Sequence, residues 1–211
     1  MVSARATVFI VDDDPSVLKA LTRLIGTAGY RVRPFDRALA FLESRWPKGP
    51  KCLVLDLRMP GLSGLDLQRE LAARGLTLPV IFLTGHGDVP SSVKAMKAGA
   101  MDFLTKPVRG AALLEAVRAA LEKDAAWLKN QRDLEAVRAR IETLSPRELE
   151  VLRWVIAGFL NKQTAAELGV SEKTIKFHRG VVMRKMKANS VAELAILADR
   201  AGIPPMKKVG P

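Results

Sequence analysis

The chain has 211 residues, 48% of them apolar, a single cysteine and a formal net charge of +12. One cysteine excludes an intrachain disulfide and a thiolate metal cage; with no apolar run near the ~20 residues of a membrane span and no signal-peptide core, the expectation is a cytoplasmic globular protein with no membrane partner. The positive charge suits a polyanion and is denser toward the C-terminus, where residues 125–211 carry 16 Lys and Arg against 9 Asp and Glu, compared with 18 against 13 in residues 1–124.

Five short apolar runs come first: Thr7–Val11, Arg31–Phe35, Cys52–Leu55, Pro79–Leu83 and Asp102–Leu104. Each is rich in Val, Ile, Leu or Phe, as buried parallel strands are. Helix-period stretches separate them. Asp14-Pro15 sets an N-cap ahead of a proline at the first helical position, with Leu18, Leu21 and Leu24–Ile25 following. Asp36 and Ser63 are expected to cap the next two helices, and Gly26, Gly29, Gly75 and Gly99 fall where helices should end. This alternation predicts an α/β doubly wound, five-stranded parallel sheet over residues 1–123, with its site at the carboxyl ends of the strands.

The residues at those ends are polar. Asp12, Asp13 and Asp14 follow the first strand, Asp56 the third, Thr84 the fourth and Lys106-Pro107 the fifth. Carboxylates converging on one sheet edge repel one another unless a cation sits among them. A hard ion such as Mg2+ suits that edge and phosphate chemistry. A carboxylate beside it can attack phosphorus to give an acyl phosphate, with Lys106 and Thr84 supplying a cation and a hydroxyl for the phosphoryl oxygens. Asp14 alone reads as a helix cap, Gly61 and Gly64 as turn residues, and His86 as a loop histidine.

The strings VFIVDDDPSV, LVLDLRMPGLSGLDL, IFLTGHGDV and AMKAGAMDFLTKP together resemble a receiver domain of the NarL/FixJ family, FixJ-like branch, over residues 6–122. The resemblance implies a flavodoxin-like fold with Asp56 as phosphoacceptor. It implies Mg2+ held by Asp12, Asp13, Asp56 and the backbone carbonyl of Arg58. It makes Thr84 the switch hydroxyl, Lys106 the phosphate-binding lysine and Phe103 the switch aromatic, with a cis bond at Lys106-Pro107. It also implies a sensor histidine kinase as partner and a surface around Val89–Ala98 that re-orders on phosphorylation.

Between Gly110 and Pro146 there is no further glycine or proline, and apolar residues keep helical spacing with a phase slip between Leu128 and Leu134. The last receiver helix is expected to run on into a linker helix at 124–143, either a monomeric amphipathic connector or a dimerising coiled coil. Residues 144–203 then read as an all-α four-helix domain. Ser145-Pro146-Arg147-Glu148 is a capping box with proline at N1. Asn161 is expected to cap a second helix and Ser171 a third, after a turn at Gly169-Val170. Ser190-Val191-Ala192-Glu193 is a further capping box. Two helices joined by a short glycine-containing turn form the helix-turn-helix pattern. On the third helix Ile175, Val182 and Met186 share one face, with His178 nearby, while the opposite face carries Lys173, Phe177, Gly180 and Arg184, flanked by Lys176 and Lys187. Cations there suit a major groove. Residues 204–211 are expected to form a flexible tail.

The segment from LSPRELEVLRW to VVMRKMKA resembles the LuxR-type DNA-binding domain, and Lys173, Thr174 and Lys176 match its DNA-contacting positions. Two residues depart from the pattern: Val181 stands where a polar residue is common, and Lys176 where FixJ-like members often carry Glu. The two resemblances imply a response regulator, not an enzyme, that forms a homodimer when phosphorylated and binds double-stranded promoter DNA, with RNA polymerase as a further partner. Two other readings stand beside it. An aspartyl-nucleophile phosphatase of the haloacid dehalogenase type would need an acid where Arg58 stands. A constitutive DNA-binding regulator would carry a vestigial receiver.

Overall fold

A computed structural model describes residues 6–85, 96, 97 and 99–207; His86 and, within the Val89–Ala98 surface, residues 89–95 and 98 lie outside the described residues. The chain divides into two compact units, Met1–Lys129 and Asn130–Pro211.

The first unit is a five-stranded, all-parallel sheet in the order β2-β1-β3-β4-β5, with β1 Thr7–Val11, β2 Arg31–Phe35, β3 Lys51–Asp56, β4 Val80–Thr84 and β5 Asp102–Thr105. Strand order reverses between β1 and β3, which opens a crevice at their carboxyl ends. β3, β4 and β5 each end one residue later than the apolar runs suggest. The ladder continues past the last apolar side chain, as the Leu57 N–H donation to the Leu83 carbonyl (2.9 Å) shows.

Side-chain alternation splits the core in two. Val8, Ile10, Cys52, Val54, Ile81 and Leu83 face α1 (Pro15–Thr27) and α4 (Gly110–Glu142), meeting Leu21, Ile25, Leu113, Val117 and Leu121. Phe9, Val11, Leu53, Leu55 and Phe82 face α2 (Ala38–Leu42) and α3 (Gly64–Ala73), meeting Phe41, Leu67 and Leu71. The central strands β1 and β4 are buried throughout. β2 is not: it is an edge strand with Arg31 and Pro34 exposed, a position where a proline, lacking an N–H, interrupts no ladder.

Asp14 caps α1, accepting from the Ser16 and Val17 amides at 2.7 and 3.4 Å, and Ser63 caps α3. Asp36 does not cap α2. Its carboxylate is held by the Arg37 guanidinium (3.2 Å), and Arg37 itself occupies the cap position. α4 runs unbroken for 33 residues, so the phase slip leaves no break in the backbone. Asp124, buried on α4, accepts from the Lys51 amide at the start of β3 (2.8 Å).

The second unit contains the end of α4 and helices α5 (Pro146–Ile156), α6 (Asn161–Leu168), α7 (Glu172–Met186) and α8 (Val191–Arg200). Its core is Val137, Val151, Leu152, Val155, Ala165, Ile175, Val182, Met186, Leu194 and Ala198. The Ser145–Glu148 capping box is complete, both reciprocal bonds being formed (2.8 and 3.2 Å). Asn161 is not the cap of α6. It is the first helical residue and accepts from the Arg179 guanidinium (3.1 Å), while Gln163 reaches back to the Leu160 amide. Ser190 caps α8, but Glu193 turns to the Asn189 amide instead of closing the second half of the box. Gly169 takes the left-handed conformation (φ +62°) that lets α6 turn into α7. The tail begins tied down: Arg153 Nε donates to the Pro204 carbonyl (3.2 Å), and the Met206 amide donates to the Arg153 carbonyl (3.0 Å). Residues 208–211 lie outside the described residues.

Candidate phosphoacceptor site and nucleic-acid interface

At the crevice, the ends of β1 and β3 bring Asp12, Asp13 and Asp56 together, with carboxylate oxygens within 4.8 Å of one another. Asp12 and Asp56 are buried and Asp13 is exposed. Lys106, just past β5, lies over both buried acids, its Nζ 2.6 Å from Asp12 Oδ2 and 2.8 Å from Asp56 Oδ1. Burial pushes the Asp56 carboxyl above the ordinary carboxylate range; Lys106 pulls the other way, and the negative charge of Asp12 adds to the rise. For Lys106, burial works against the charged form, but hydrogen bonds to Asp12 and Asp56 outweigh it and the net shift is upward. The Arg58 amide donates to Asp56 Oδ2 (3.2 Å), so that carboxylate is fixed from the chain side as well.

Thr84 ends β4 almost fully buried, and its hydroxyl donates to the Gly85 carbonyl (3.1 Å). It stands at the same sheet edge without a bond to Asp56. Phe103 lies on the edge strand β5, half-buried, in register with Phe82 and packed against the core on the α2–α3 side. Lys106-Pro107 is cis. The donor set is all hard oxygen, three carboxylates on adjacent strand ends, which fits a small divalent cation that keeps several waters. Gly64 belongs to this site although it reads as a turn residue. A Cβ built on it would collide with the Asp56 carbonyl oxygen and come within 3.0 Å of Phe82 Cε1. Only glycine lets α3 begin directly against the end of β3. A glycine at the start of a helix is ordinary in sequence, so nothing in the string marks it.

On α7, Lys173, Lys176, Phe177, Gly180 and Arg184 are exposed. Thr174 is half-buried, its hydroxyl 2.8 Å from Ser171 Oγ. Val181 is buried, so this departure from the LuxR-type pattern falls on the packed side of the helix. One turn on, Lys185 donates to Glu148 (2.6 Å) and to the Thr143 carbonyl (2.9 Å). These bonds turn that cation away from the basic face. They also hold the Glu148 carboxyl below its ordinary range, the Lys185 hydrogen bond acting most strongly.

Two families match the chain: "Response regulator receiver domain" over residues 8–118 and "Bacterial regulatory proteins, luxR family" over residues 142–198. Nodulation protein W of Bradyrhizobium diazoefficiens is 49% identical over 201 residues, covering 95% of this chain and 88% of that one. The transcriptional regulatory protein FixJ of Azorhizobium caulinodans is 44% identical over 204 residues, 97% of each chain. Among solved structures, the response regulator StyR superposes with a TM-score of 0.84 at 44% identity, covering 93% of this chain and 99% of that one. Full-length FixJ from B. japonicum gives 0.59 at 40% identity, with 95% and 99% covered.

Proposed function

Since this chain belongs to the NarL/FixJ-type response regulators, two-component proteins that bind DNA and control transcription, we propose that its switch is phosphorylation of Asp56 by a sensor histidine kinase. The observation that carries this is the Lys106 ammonium bridging Asp12 and Asp56 beside Asp13 at the sheet edge.

An Asp56 carboxylate oxygen attacks the phosphorus of the kinase's phosphohistidine. The O–P bond forms as the N–P bond breaks, and the electron pair returns to the imidazole. Asp12, Asp13, Asp56 and the backbone carbonyl of Arg58 hold Mg2+, which when bound neutralises charge on the phosphoryl oxygens. Lys106 exchanges its contact with Asp56 Oδ1 for a phosphoryl oxygen. The Thr84 hydroxyl leaves the Gly85 carbonyl and donates to another, and the half-buried Phe103 ring moves into the space beside it. The chain promotes its own phosphotransfer and dephosphorylation and is otherwise not an enzyme.

The re-ordered surface favours a homodimer, so that two α7 helices meet two half-sites of double-stranded promoter DNA. Lys173, Thr174, Lys176 and Arg184 serve as phosphate and base-edge contacts, with Phe177 and Gly180 between them. RNA polymerase is a further partner at the promoter, and the protein works in the cytoplasm. The domains run 1–123 for the receiver, 124–143 for the linker helix, 144–203 for the DNA-binding domain and 204–211 for the tail. The test is acyl-phosphate formation from a small phosphodonor with Mg2+. Intact-mass analysis should show one hydroxylamine-labile phosphoryl group on the native chain and none on Asp56→Asn. Persistent labelling of Asp56→Asn would sink the assignment.

A further inference from the structure

Two features of α7 have no explanation inside the second unit. Phe177 is 67% exposed, and the one aromatic ring paired with it among the described residues is that of His178, edge-on at 5.7 Å. Gly180 sits in the middle of a 15-residue helix, where glycine weakens the helix relative to alanine. Its missing side chain is not required by packing, because a Cβ there would meet nothing within 4 Å. The two are one turn apart on the same face, with the exposed cations Lys173, Lys176 and Arg184 around them. An apolar ring thus stands beside a bare stretch of backbone in the centre of a cationic surface.

We infer that Phe177 reads the C5-methyl of a thymine in each half-site, and that Gly180 lets the base edges approach the helix backbone beside it. This rests on the reading of α7 as the helix that enters the major groove. The cations around the ring bond phosphate oxygens and base-edge acceptors, and a methyl group is neither. Thymine is the base that offers an apolar group in the major groove, and phenylalanine is one of the side chains that meets it there. A bare Cα is what close approach of a ligand to backbone needs. Phe177 therefore separates thymine from cytosine at one position, a discrimination that lysines and arginines around it do not provide.

The experiment uses the full chain, activated with beryllofluoride and Mg2+, and a duplex that it enriches from a random pool. Each thymine is replaced singly by uracil, which removes the methyl and nothing else. One thymine per half-site should weaken binding about fourfold when replaced, the equivalent of one buried methyl at ~0.8 kcal/mol. Phe177→Ala, at an exposed position, should bind the same duplex with no response to that replacement. Gly180→Ala should raise thermal stability yet weaken binding several-fold. Three results overturn the proposal while leaving α7 as the DNA helix: no thymine methyl matters although binding stays salt-dependent and falls in Lys176→Ala, the uracil effect survives in Phe177→Ala, or the enriched site holds no thymine. Failure to enrich any duplex would overturn both readings together.

Discussion

Substituting alanine for glycine should have opposite effects at two places in the first unit. Both glycines are helical and neither has a positive φ, so alanine is locally the better helix former by up to about 1 kcal/mol. At Gly26, near the end of α1, a Cβ meets nothing within 4 Å, and Gly26→Ala should gain about 0.5–1 kcal/mol. At Gly64 the added carbon collides with the Asp56 carbonyl and crowds Phe82 Cε1 and Leu57 Cα at 3.0 and 3.1 Å. Asp56, Phe82 and Leu57 are all buried, so none can swing aside as a surface side chain would. Overpacking of this kind costs about 1–3 kcal/mol, which outweighs the helix gain. Gly64→Ala should be net destabilising by about 1–2 kcal/mol and should slow labelling of Asp56 through displacement of β3 against β1. Hydrogen–deuterium exchange of the β1, β3 and β4 amides reads the opening free energy of the first unit within the full chain. Gly64→Ala as stable as Gly26→Ala, with unchanged labelling, would refute the close approach.

Two carboxyls should give pH dependences of opposite sign. Glu148 sits below its ordinary range through Lys185 and the Ser145 amide, so its contribution is fully present above about pH 4.3 and is lost as pH falls through the lower folded value. Glu148→Gln should flatten that acid limb in urea denaturation. Asp124 is raised by burial, partly offset by the Lys51 amide and charge. Its effect on stability is most favourable below about pH 3.9 and declines as pH rises through the folded value, so Asp124→Asn should remove that decline while keeping an acceptor for the Lys51 amide. Lys187 ends α7 at φ +54°, the one positive φ outside glycine among the described residues. Lys187→Gly should stabilise the second unit by about 1 kcal/mol, read as a higher melting temperature.

The sheet is legible because β1, β3 and β4 each hold an unbroken apolar run, Val8–Val11, Cys52–Leu55 and Val80–Leu83, followed at once by a charged or hydroxyl residue. The same strings put Asp12, Asp13, Asp56, Thr84 and Lys106 at one edge. What stayed hidden depends on contacts distant in sequence or on competition for one polar group. Asp36 reads as a cap, yet its neighbour Arg37 takes the carboxylate. Asn161 reads as a cap, yet Arg179, 18 residues on, claims its oxygen. The Asp124 bond to Lys51 spans 73 residues and has no local pattern. Gly64 becomes informative only when the Asp56 carbonyl is seen against it. Thr84 reads as a strand-end residue at this edge, but its hydroxyl faces Gly85, which sequence position alone does not indicate. On α7 the 100° period separated the buried Ile175, Val182 and Met186 from the exposed cations, while the burial of Val181 depends on packing outside its own helix.

The central claim is that charge added at Asp56 changes what α7 does. Its most direct measurement is the affinity of the full chain for an enriched duplex, with and without beryllofluoride, in the native protein and in Asp56→Asn. Tighter binding on activation in the native chain, with no change in Asp56→Asn, is the predicted result. Equal affinities in the native chain would mark the receiver as vestigial and contradict the account.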